Sequence, residues 1–165
     1  MRSADGRRDF ACFPAAILGF LINEADEILV LSHPARKGGW EVINGAIDEG
    51  EAPAEALLRE VAEEAGPEVK IRPVGVVHTF LYRYDALVPA MLSVAYAASY
   101  LGGRILPGSD MAMSQHRWVS PAEIDRGAIT LLTPAQPWLF RRAVSVCRMF
   151  RDDAVELEPW KPLSE

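Results

Sequence analysis

The chain has 165 residues, 50% of them hydrophobic and 24% charged, the size and composition of one globular domain with a core of its own. Its 23 acidic residues outnumber 17 basic ones, and a formal net charge of -6 argues against a protein that grips nucleic acid through an extended basic surface. Cys12 and Cys147 stand far apart with no CxxC spacing, so neither a disulfide framework nor a zinc site is expected, and both read as buried thiols in a reducing compartment.

Arg7-Arg8-Asp9-Phe10 precedes an apolar run that reaches Ile22, roughly the pattern of a twin-arginine export signal. Pro14 and Gly19 interrupt that run, an acidic turn follows it directly, and it is shorter than the about 20 apolar residues that span a bilayer. A short polar tail (residues 1–9), a buried first strand and a cytoplasmic protein with no membrane partner are therefore expected. Residues 15–22 and 27–31 read as a hairpin joined by Asn23-Glu24-Ala25-Asp26. A polar, glycine-rich loop over 33–40 leads into a short extended piece, Glu41-Val42-Ile43, and then Asn44-Gly45. Residues 54–65 form a strong helix, with Pro53 at its first position and Gly66-Pro67 as its stop. Two long strands follow at 74–84 and 90–100, then a turn at Gly102-Gly103 and a loop over 106–115. Arg117-Trp118-Val119 is a strand, Ser120-Pro121-Ala122-Glu123 caps a short helix, and a last helix runs from about Pro134 to Phe150 with Leu139, Val146 and Phe150 on one side. The tail over 152–165 is expected to be loosely held.

On the helix over 54–65, Leu57, Leu58, Val61 and Ala65 share a face suited to a core, while Glu60, Glu63 and Glu64 crowd the neighbouring face. Residues three and four apart are neighbours on a helix, so Glu60 lies beside two like charges, and the last turn disfavours acids by about 0.3–1 kcal/mol each. A hard divalent cation, Mg2+ or Mn2+, reverses that sign because it takes several carboxylate oxygens at close range. Glu51 adds a further ligand or holds Arg59, and Gly45 and Gly50 let the loop bend its backbone toward the site.

At these residues the sequence closely resembles the Nudix hydrolases, whose signature is G-x5-E-x7-R-E-U-x-E-E-x-G-U, with U a bulky apolar residue. Gly45, Glu51 and Arg59-Glu60-Val61-Ala62-Glu63-Glu64-Ala65-Gly66 fill every fixed position, and Pro67 replaces the final apolar one. Just upstream, Asn44 stands where a glycine is frequent and Asp48 where a glutamate is frequent. The resemblance implies an α/β fold, an α/β/α sandwich around a mixed sheet. It implies hydrolysis of a nucleoside diphosphate linked to another moiety, with Mg2+ or Mn2+. Carried over, Glu60, Glu63 and Glu64 would be metal ligands, Glu51 an additional ligand or support, and Arg59 would orient a glutamate. The general base would be Glu63 or Glu60 in the signature, or Asp110 in the later loop. Dimers are common among such proteins, so a homodimer is one expected state.

Lys37 and Arg83 are the candidates for a substrate phosphate, and Trp40 stacks on a base or fills the core. Tyr84 stands where a tyrosine marks diadenosine polyphosphate hydrolases, yet its alternation with Tyr82 also suits packing alone. His33, His78 and His116 read as structural or surface histidines. Ala135-Gln136-Pro137-Trp138 has part of an NADH pyrophosphatase marker at the wrong distance and is read as coincidence. Two other classes compete: a nucleotide-binding sensor that does not hydrolyse, which would typically lose signature glutamates, and an isoprenyl diphosphate isomerase, which would want a cysteine in the site.

Overall fold

The protein is described here as a computed structural model covering residues 1–36, 38–108, 111–132 and 134–151. The first apolar run is the spine of a mixed sheet. β1 (Ala15–Ile22) lies parallel to β6 (Met91–Gly102) along one edge. Its other edge is shared, with β2 (Ile28–Ser32) pairing at Ile22 and β4 (Ile43–Ala46) pairing over Ala16–Gly19, both antiparallel. β5 (Lys70–Tyr82) pairs antiparallel with β6 and forms the edge beyond it, and the pairing shifts register between Pro73 and Gly75, an edge-strand irregularity of the kind that accommodates proline. β3 (Gly39–Glu41) and β7 (His116–Val119) pair with β2, and β8 (Thr130–Leu131), which the sequence pattern does not reveal, lies parallel to β3.

Alternation along β1 divides the core into two layers, since successive strand residues point to opposite faces. Leu18, Phe20 and Ile22 face α3 (Pro137–Met149), and Ile17 and Leu21 face α1 (Pro53–Glu60). The expected α/β/α sandwich is what forms. The last helix starts at Pro137, the position that spares a proline its missing N–H, and its buried stripe is Leu139, Phe140, Ala143, Val144 and Cys147. Val146 and Phe150, expected on that stripe, flank it instead, and Phe150 is 38% exposed. Cys147 is buried as expected, whereas Cys12 is exposed. Residues 1–10 fold back on themselves, with a bridge between Arg2 and Asp9 and the Phe10 N–H donating to the Met1 carbonyl. The tail over 152–165 lies outside the described residues.

The layer under α3 is pinned by Phe20 and Phe140, whose rings meet edge to face with centroids 5.1 Å apart. Phe140→Ala should lower the unfolding free energy by about 3–5 kcal/mol in denaturant titration. A loss under about 1 kcal/mol would show that this pair does not anchor the layer.

Candidate active site

The helix that carries the acids changes pitch where they begin. α1 is α-helical to Glu60, and residues 61–65 form a π turn closed by the Gly66 N–H donating to the Val61 carbonyl at 3.1 Å. Five-residue spacing widens the turn and shifts which residues face inward, a feature frequent at functional sites. Glu60 and Glu64 are buried alongside Leu57, Val61 and Ala65, while Glu63 is half exposed and Leu58, expected in the core, is 43% exposed.

Arg59 organises three of the acids. Its Nε and Nη2 donate to the two carboxylate oxygens of Glu51, each at 2.9 Å, and Nη1 donates to Glu60 Oε1 at 2.7 Å. Nη2 also donates to the Ala46 carbonyl at 2.8 Å, and Glu63 Oε2 lies 3.6 Å from Nη1. A two-pronged guanidinium–carboxylate pair is strong and fixed in direction. It raises the Arg59 pKa above its ordinary value, chiefly through the Glu51 bond, and the same bond holds Glu51 below the usual carboxylate range. Of the two roles expected for Glu51, holding Arg59 is the one seen.

β4 supplies the other wall. The Asn44 N–H donates to Glu64 Oε2 at 3.0 Å. A Cβ on Gly45 would overlap the Glu60 carboxylate, so any other residue there would push that side chain out of its place. Among the described residues no three His, Cys, Asp or Glu side chains are gathered to hold a metal ion. The donor set nevertheless fits a hard divalent cation in its chemistry, because Glu60, Glu63 and Glu64 offer carboxylate oxygens and Gly45 leaves the Glu60 carboxylate against bare backbone.

Asn44 also lines a cleft of about 620 Å3 between the end of β5 and the start of α3. Alternation along β5 puts His78, Phe80 and Tyr82 on its wall, followed by Tyr84, which is 64% exposed. His78 meets Trp138 edge on at 5.0 Å and stacks on Phe80 at 6.0 Å. Arg36, Arg83 and Gln136 complete the rim. Thus His78, Gln136 and Trp138, read from sequence as incidental, line the cleft together. Trp40 packs half-buried against the core layer under α3 and does not line the cleft, and Lys37 and Asp110 lie outside the described residues.

Because Arg59 lowers the Glu51 pKa, their pairing stabilises the fold above the ordinary carboxylate value and is lost as pH falls through the lower folded value. Glu51→Gln should therefore destabilise at pH 7, and the gap from wild type should narrow by pH 3 in denaturant midpoints. A gap that widens on acidification would contradict this sign.

The family model for the NUDIX domain matches residues 13–143. An octanoyltransferase from Myxococcus xanthus is 38% identical over 69 residues, 42% of this chain and 19% of that protein. The NAD-capped RNA hydrolase NudC of Photobacterium profundum is 31% identical over 105 residues, 62% of this chain and 36% of that one. The chain thus spans about a fifth and about a third of these curated relatives. Its fold is shared with an ADP-ribose pyrophosphatase from Streptococcus suis at a TM-score of 0.66 and 19% identity, over 83% of this chain and 93% of that structure. A family match over most of the chain, on a sheet that presses the acid-rich turn against Gly45, shows that this chain belongs to the Nudix hydrolase family.

Proposed function

We propose that the chain cleaves a diphosphate bond in a nucleoside diphosphate linked to another moiety, with Mg2+ or Mn2+. The observation that carries this reading is Asn44, which lines an aromatic cleft while its backbone N–H holds a glutamate of the acidic turn. A base and a phosphate chain need those two surroundings side by side. His78, Phe80, Tyr82 and Trp138 offer rings for stacking, and Arg36 and Arg83 offer guanidiniums for phosphate oxygens. ADP-ribose, for which one structural relative is named, is a substrate of this kind.

Family members generally use divalent metals, and here Glu60, Glu63 and Glu64 would hold the ion. When bound, such an ion lowers the pKa of a water and offsets charge on phosphate oxygens. Arg59 keeps the Glu60 carboxylate aimed at the Gly45 backbone, and Glu51 keeps Arg59 in place. Glu63, the least enclosed of the three, has room to turn and accept a proton from the attacking water; Glu60 and Asp110 are the alternatives. The proposed partner is a small molecule and the proposed location the cytoplasm, with a homodimer as one proposed state. No helix among the described residues is long and apolar enough to cross a membrane.

The alternative is a nucleotide-binding module without hydrolysis; such modules typically lose signature glutamates, and this chain keeps Glu51, Glu60, Glu63 and Glu64. A panel of nucleoside triphosphates, ADP-ribose, dinucleotide polyphosphates and NADH, incubated with Mg2+ or Mn2+ and read by product identity, separates the two. Hydrolysis of a nucleotide diphosphate linkage is expected, and no product from any member would reject it. Glu60→Gln or Glu64→Gln should lower metal-dependent turnover by about 100-fold or more, since even outer partners of metal ligands are worth about 10–100-fold. Trp138→Ala should raise KM about 10-fold with little change in kcat, the worth of one stacked base. Near-normal turnover in either glutamate variant would defeat the metal assignment.

A further inference from the structure

Glu41, at the end of β3, is a carboxylate only 5% exposed that belongs to no part of the acidic turn. Among the described residues, Asn44, Arg36 and His33 reach it from two different segments. Asn44 Nδ2 donates to its Oε2 at 3.3 Å, Arg36 Nη2 stands 3.9 Å from the same oxygen, and His33 Nε2 stands 3.7 Å from Oε1. The imidazole is turned this way by its own loop, because the Ala35 N–H donates to His33 Nδ1 at 3.0 Å. Of these, Arg36 and Asn44 line the cleft. Asn44 is the residue whose backbone holds Glu64.

A half-exposed arginine on a loop ordinarily samples many rotamers, and an ion pair at such a site adds little stability. It does add direction. Because only Nη2 faces Glu41, at ion-pair distance, the N–H donors of Arg36 remain for a ligand. We propose that Glu41 is a positioning residue for the substrate's phosphate chain, holding Arg36 and Asn44 where the aromatic cleft meets the acidic turn. This rests on reading the cleft as a nucleotide site.

Binding of α,β-methylene-ADP, which cannot be hydrolysed at its P–C–P bridge, and of adenosine tests the idea by calorimetry on the full chain with Mg2+. Glu41→Gln keeps an oxygen for Asn44 and removes the charge that faces Arg36. It should weaken α,β-methylene-ADP about 10-fold, the worth of one charge-assisted contact, and leave adenosine within about twofold. Arg36→Ala, a change at an exposed loop that does not endanger folding, should lose a similar factor, and the double variant should lose no more than either alone. Equal weakening of both ligands would show that Glu41 only supports the cleft's shape and would overturn the proposal. So would unchanged α,β-methylene-ADP binding in Glu41→Gln, additive losses, or a wild type that binds adenosine as well as its diphosphate analogue. Wild-type turnover is read separately: the expected binding pattern without turnover would reject the hydrolase reading and keep this one, and turnover with Glu41→Gln indistinguishable in binding would do the reverse.

Discussion

Burying carboxylates beside one another is costly unless positive charge and hydrogen bonds meet them, and in this chain a single guanidinium does much of that work. Arg59 forks onto Glu51, reaches Glu60 with its third nitrogen and ties both to the Ala46 carbonyl of β4. The carboxylates of Glu51 and Glu60 are thereby fixed beside the start of a turn whose helix dipole disfavours acids. Remove the guanidinium and the turn would have every electrostatic reason to swing into solvent. What Arg59 secures is position, a set of hard oxygens kept against a strand.

That strand is available because the edge of β1 is divided. β2 takes its far end and β4 its near end, so β4 diverges from the rest of the sheet and carries Asn44 and Gly45 out beneath the acidic turn. The absence of a side chain at Gly45 lets the Glu60 carboxylate lie against the backbone. On the other side of Asn44 the chain offers rings and guanidiniums in place of acids. A ligand with an aromatic base at one end and a diphosphate at the other matches that change of chemistry across one residue.

Much of this is legible in the sequence because its signals are local. Apolar runs mark β1 and β2, Pro53 marks the start of α1, and the spacing from Gly45 to Gly66 marks the acids and their arginine. The failures are equally physical. A π turn is set by which carbonyl Gly66 reaches, and α-helical periodicity assumes the wrong one, which is why it puts Leu58 inside. The sequence pattern starts the last helix early because Pro134 and Pro137 are both permissible first residues, and only packing selects Pro137. The cleft is hidden because its walls come from β5 and α3, far apart in the chain, and no periodicity tells which face of β5 meets which end of α3. Glu41 is hidden for the same reason, its partners lying on a loop before it and a strand after it. Residue type alone suggests a buried Cys12, whereas the segment before β1 lies outside the core.

The central claim is that the buried acids of the π turn are kept in order to bind a divalent cation. Titration of the chain with Mn2+, followed by electron paramagnetic resonance of the free ion, measures it without any substrate. The account predicts saturable loss of the free-ion signal in wild type and a markedly weaker loss in Glu64→Gln at unchanged thermal stability. Equal Mn2+ uptake by the two proteins, or none by either, would contradict it.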